Sequence, residues 1–81
     1  MTPLIQSGKA NKPNVGSLTI TFDTAYSQAP QVMLTPFWEG QNKQVGNIAT
    51  LTTVTGTGFT LTSNNWGSDY FVNWMAFGQR A

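Results

Sequence analysis

In the stretch Leu18-Thr19-Ile20-Thr21-Phe22 every second side chain is apolar and the ones between carry hydroxyls. A period of two puts Leu18, Ile20 and Phe22 on one face of a strand, whereas a helix repeats its apolar residues every three or four positions. The same period returns along the chain. Residues 58–63 alternate Phe59 and Leu61 with Thr60 and Thr62, and residues 70–78 set Val72, Trp74 and Ala76 on one side. Residues 48–55 form a threonine-rich run, and 4–9 give a weaker opening strand. In 31–37 and 70–77 apolar residues fall on both faces, which predicts that the second face also meets a partner. Pro36 has no N–H for a ladder and marks an edge or a bulge. No segment holds a helical period over three turns, so helix is expected to be nearly absent.

Turn formers separate these segments: Lys12-Pro13-Asn14-Val15-Gly16, Glu39-Gly40-Gln41-Asn42, Thr55-Gly56-Thr57-Gly58 and Asn64-Asn65-Trp66-Gly67-Ser68. Thr55-Gly56-Thr57-Gly58 reads as a hairpin turn with glycine supplying a positive φ. Six short antiparallel strands in 81 residues give an all-β sandwich, expected as one domain over 1–81. A domain this small buries only about 60% of its unfolded surface, and ordering each residue costs roughly 1.5 kcal/mol. There is no cysteine for a cross-link. Burial against copies of itself is the remaining source of stability, and an aromatic content of 12% suits it.

The chemistry open to the chain is narrow. Histidine and cysteine are absent, which removes histidine-based triads, thiol nucleophiles and the ligand sets of structural zinc. No phosphate loop, dinucleotide fingerprint or calcium loop is spelled out, so no cofactor and no metal are expected. With a net charge of +1 there is no clustered basic field to neutralise phosphates, and nucleic acid is not an expected partner. No run approaches the roughly 18 apolar residues of a membrane span, and the N-terminus shows no signal-peptide pattern. The chain is therefore expected to be a soluble, non-enzymatic binding module.

Three carboxylates are available. Asp23 and Glu39 read as solvated loop acids or turn caps. Asp69 lies in Asn64-Asn65-Trp66-Gly67-Ser68-Asp69-Tyr70, where amides, a hydroxyl, a carboxylate and two aromatics share one loop. A sugar presents hydroxyls around an apolar C–H face, so its receptor needs planar donors and acceptors beside an aromatic plate. Trp66 fits the plate, with Asn65, Ser68 and Asp69 beside it. The alternative reading makes Trp66 a cap on the sandwich end, with Asn64 and Asn65 in left-handed turn conformations. Trp74 belongs to the alternation of the last strand and reads as core; Trp38 reads as core, interface or rim.

Taken in order, Ile5-Gln6-Ser7-Gly8-Lys9, Ile20-Thr21-Phe22, Ala29-Pro30-Gln31-Val32-Met33-Leu34, Thr57-Gly58-Phe59, the lone Trp66 and Val72-Asn73-Trp74-Met75-Ala76-Phe77-Gly78 resemble the H-type lectins, the group of snail agglutinins and discoidin C-terminal domains. The resemblance implies a six-stranded antiparallel sandwich assembled as a trimer or as a doubled trimer, a hexamer. It implies sites at protomer boundaries for galactose or N-acetylgalactosamine on cell-surface glycans, acting extracellularly on a secreted protein or a virion. In that family one protomer gives an aspartate before the second strand and an arginine early in the fourth, and its neighbour gives an aromatic wall. Trp66 matches the wall. The arginine's place falls near Gly46, beside Asn47; the shortened loop 9–16 offers Asn14 in place of the acid; and Gly67 follows the tryptophan where the family has a polar residue. Candidate ligand contacts are thus Trp66, Asn65, Ser68, Asp69, Asn14 and Asn47. Similar strings close the tail fibres of bacteriophages, so the second expectation is a structural or receptor-binding trimeric fibre tip whose aromatics serve protomer packing.

Overall fold

The computed structural model of the chain describes residues 2–40 and 48–81. Within them six strands follow one another: β1 (Pro3–Asn11), β2 (Gly16–Thr21), β3 (Gln31–Trp38), β4 (Thr50–Val54), β5 (Gly58–Ser63) and β6 (Tyr70–Gln79). They form two three-stranded sheets, ordered β1-β6-β3 and β2-β5-β4, and all pairings are antiparallel. No helix occurs among the described residues. The opening strand is longer than its sequence pattern, because every residue from Pro3 to Asn11 finds a register partner on β6. Residues 48 and 49 stay outside β4, which begins at Thr50.

Burial follows the period of two. Phe59 and Leu61 of β5 face Val72, Ala76 and Tyr70 of β6 across the sandwich, and Phe22 and Tyr26 complete the buried cluster. Phe22 packs edge-on against Tyr26, with centroids 5.1 Å apart, and tilts against Phe59 and Trp74, each at 5.8 Å. Trp74 gains its space from a missing side chain. It lies opposite Gly8 in the β1–β6 register, and a Cβ at Gly8 would stand 2.8 Å from the indole Nε1.

The crossing from sheet to sheet is made by the segment after β2. Phe22 N–H donates to the Thr57 carbonyl and Tyr26 N–H to the Gly56 carbonyl, while the Tyr26 hydroxyl reaches the Ala76 carbonyl of the other sheet at 3.0 Å. This contact corrects the expectation for the 55–58 turn. Positive φ among the described residues is confined to Gly16 and Gly67. Gly56 is needed for closeness instead, since a Cβ there would stand 2.6 Å from the Tyr26 carbonyl oxygen. Asn64 and Asn65 likewise do not take left-handed conformations. Pro36 does lie on an edge, because β3 is the outer strand of its sheet, and the bulge falls on β4 between Leu51 and Thr53.

The two outer faces differ in kind. On the β2-β5-β4 sheet, Ser17 pairs with Thr62 and Thr19 with Thr60 through hydroxyls 2.9 Å apart. On the β1-β6-β3 sheet the outer face carries an apolar patch: Ile5 lies opposite Phe77 and Met75 opposite Met33, with exposures from 41% to 69%. Phe37 and Phe71 stack at one end of that face, centroids 5.9 Å apart, beneath the Lys9 ammonium, which also pairs with the Glu39 carboxylate.

Leu61 is fully buried at the centre of β5. Leu61→Ala is expected to cost about 3 kcal/mol, from lost burial and the cavity left behind. Chemical denaturation followed by tryptophan fluorescence measures this, and a change below about 1 kcal/mol would show that the sheets are not packed as described.

Candidate functional site

The loop between β5 and β6 is built from its anchors outward. Asn65 N–H donates to the Ser63 hydroxyl at 3.0 Å, which turns the chain as it leaves β5. Gly67 then adopts φ 151°, a value that side chains disfavour. Its N–H donates to the Lys12 carbonyl at 2.9 Å, and Lys12 N–H donates to the Tyr70 carbonyl at 3.0 Å. Asn11 closes the same gap with its side chain, giving its amide hydrogens to the carbonyls of Gly67 and Tyr70, both at 2.9 Å. On the far side, Glu39 N–H donates to the Asp69 carbonyl at 2.8 Å.

The strongest anchor is a charge. Lys12 is 1% exposed, yet its ammonium donates to the carbonyl oxygens of Asn14, Ser63 and Asn65, each at 2.8 Å. An ammonium has three N–H donors and no acceptor, so this set uses its full capacity. No carboxylate is among those acceptors, and burial pushes the Lys12 pKa below its usual value of 10.5. The β1–β2 turn, the end of β5 and the loop therefore share one nitrogen.

These anchors leave Trp66 outside. Trp66 is 52% exposed, while Asn65 before it is 4% exposed. Ser68 and Asn14 are also exposed and Asp69 is half-buried. The Asp69 carboxylate sits against two glycines: a Cβ at Gly67 would stand 3.0 Å from Oδ1, and one at Gly40 would collide with Oδ2. Beneath the loop, Trp38 packs on Tyr70 with centroids 4.6 Å apart, which makes Trp38 part of the floor. The Tyr70 hydroxyl is buried and has no hydrogen-bond partner among the described residues.

Of the six sequence candidates, Trp66, Asn65, Ser68 and Asp69 share this loop, and Asn14 is joined to it through Lys12. Asn65 faces inward in the single chain, so its backbone holds the loop while Trp66 and Ser68 meet solvent. Asn47 lies outside the described residues. Sequence reasoning missed Asn11 and Lys12. Nothing local separates a caged lysine in a Lys-Pro-Asn turn from a solvated one, because two of its three acceptors lie 51 and 53 positions away.

Lys12→Met keeps the stem and deletes the donors, leaving carbonyls without partners at a cost on the order of 2 kcal/mol. The pH dependence has a definite sign. With the folded pKa lowered, the unfolded chain binds more protons between that value and 10.5, so the lysine's contribution to stability rises with pH through the window. Denaturation of wild type and Lys12→Met at pH values from neutrality to just above 10.5 is expected to show the wild-type advantage growing. An advantage that shrinks across this range would contradict the burial of the ammonium.

No curated protein and no solved structure matches the chain in sequence or fold comparison. A family model does, that of the H-type lectin domain, over residues 17–77. The match runs from β2 to β6, through the whole of the Trp66 loop, and covers about three quarters of the described sandwich. With that stretch aligned and six strands in two antiparallel sheets, the chain belongs to the H-type lectin domain family.

Proposed function

We propose that the chain is a non-catalytic, multivalent lectin that binds galactose-type or N-acetylgalactosamine-type glycans on cell surfaces, through shallow sites around Trp66 completed by an adjacent copy. The observation that carries this reading is an exposed indole on an anchored loop. An aromatic face held in place supplies the apolar C–H side of a sugar with a plate at little entropic cost. Ser68 on the same loop and Asn14 on the turn that Lys12 ties to it offer exposed hydroxyl and amide groups, and Asp69 supplies a half-buried carboxylate. The site acts extracellularly or on a virion surface in this reading.

An apolar patch on the outer face of the β1-β6-β3 sheet supports assembly. Ile5, Met33, Met75 and Phe77 form one contiguous patch on adjoining strands, and exposed patches of this kind mark interaction sites. A trimer closes such a face around a three-fold axis and places three sites on one rigid body. Avidity then rises by roughly 10²–10⁴ where glycans are dense.

Trp66→Ala is expected to weaken binding of the best glycan from an array by about 2 kcal/mol per site, the scale of a hot-spot aromatic. A folded, assembled variant with wild-type affinity in titration calorimetry would overturn the site; glycan-array silence of the wild type would favour the fibre-tip reading instead. For the assembly, light scattering should give a trimer or hexamer at micromolar concentration, and Phe77→Asp should shift it toward monomer with a lowered melting temperature. A wild-type monomer that stays folded at that concentration would contradict the assembly.

A further inference from the structure

Between the edges of β1 and β2, well along the sandwich from the Trp66 loop, lies a crevice of about 220 Å³ lined by Gln6, Ser7, Thr21, Asp23 and Trp74. Gln6 and Asn11 are five residues apart on β1, which separates the crevice from the loop anchors by about 17 Å.

Its walls are held from below. The Gln6 amide is committed to the backbone of Thr24, donating to its carbonyl at 2.8 Å and accepting from its N–H at 3.0 Å. That bidentate contact ties the segment after β2 to β1 and so fixes Asp23 at the rim. The opposite wall depends on Gly8. Without a Cβ there, the Trp74 indole lies over the β1 backbone with Nε1 toward the edge strand, and any larger residue would push it away. Phe22 and Phe59 hold the ring from inside, with centroids 5.8 and 5.4 Å away.

The polar groups left over are complementary in an informative way. Among the described residues the Asp23 carboxylate makes no ion pair or hydrogen bond, and the Trp74 N–H meets no acceptor. Ser7 and Thr21 complete the lining from the two strands. A cationic amine would satisfy Asp23 and leave the indole donor unmet. An anion would accept from the indole and be repelled by the carboxylate. A neutral polyol both donates to a carboxylate and accepts from an N–H, and a pyranose adds a C–H face for the edge of the indole. The volume lies below the roughly 300–1,000 Å³ of drug-sized pockets, which suits one ring. We infer that this crevice is a second saccharide subsite, in which Asp23 accepts from ring hydroxyls of a single pyranose and Trp74 Nε1–H donates to one. It does not depend on the Trp66 reading. Where both sites work, one copy of the chain can hold two branches of a glycan.

The test uses the assembled protein labelled with ¹⁵N in its three tryptophan indoles, Trp38, Trp66 and Trp74. Methyl galactopyranoside, methyl glucopyranoside and methyl mannopyranoside are titrated separately into the millimolar range. At least one is expected to move the Trp74 signal along a saturating curve, distinct from any response of Trp66. Asp23→Asn, an exposed substitution that keeps the shape, is expected to weaken that curve about tenfold or more, the scale of a lost charged hydrogen bond, while the Trp66 response is unchanged. Gly8→Ala should weaken it as well by displacing the indole. A Trp74 signal unmoved by all three sugars would overturn the subsite, and so would a Trp74 curve undiminished in Asp23→Asn. A response confined to Trp66 would overturn it too while leaving the loop site standing.

Discussion

An ammonium taken out of water stays charged only where each of its N–H donors finds an acceptor, and Lys12 finds them in the carbonyls of Asn14, Ser63 and Asn65, all at 2.8 Å. Desolvating such an ion costs several kcal/mol, and three charge-assisted hydrogen bonds offset that cost only while the acceptors hold their places. The geometry of the turn, the strand end and the loop is therefore mutually fixed. Asn11 and the Lys12 backbone extend the lattice to Gly67 and Tyr70. The outcome is an aromatic ring that projects into solvent from a segment whose backbone is secured on both sides. A binding residue in that position loses little freedom when a ligand arrives.

The same economy of residues divides the rest of the surface. Hydroxyl pairs on the β2-β5-β4 sheet satisfy one another across strands and give a neutral polar face that solvent can cover. The β1-β6-β3 sheet has aliphatic, thioether and aromatic groups on its outside, and its charged residue Lys9 is occupied by Glu39 and the Phe71 ring. A domain of this size without disulfides has a thin margin of its own. In the proposed assembly, the apolar patch turned toward copies of itself adds burial where a single core cannot.

Much of the architecture could be read from the sequence because β-sandwiches write their inside and outside residue by residue. The alternation around Leu18, Ile20 and Phe22, or Phe59 and Leu61, locates strands and facing together, and Pro36 identifies an edge through its missing donor. Trp66 stood out because a lone tryptophan among turn residues has no place in an alternating face. Other features depend on contacts distant in sequence and leave no local mark. Lys12 looks like any turn lysine until Ser63 and Asn65 are folded over it. Gly56 looks like a positive-φ turn glycine, whereas the approach of Tyr26 is what demands it. Asn65 looks like an open turn amide, whereas the fold buries it in the single chain and sets its carbonyl on the Lys12 ammonium. Asp23 reads as a solvated acid because only the fold brings it and Trp74 to the lining of one crevice.

The most direct measurement is a crystal structure of the assembled protein grown with the best-binding glycan from an array. A pyranose ring stacked on Trp66, with hydrogen bonds to Ser68 or Asp69 and to residues of a neighbouring copy, and with Lys12 still enclosed by its three carbonyls, is the expected result. Trp66 buried between protomers with no sugar near the 64–69 loop would contradict the central claim that this loop holds a sugar-binding plate in place.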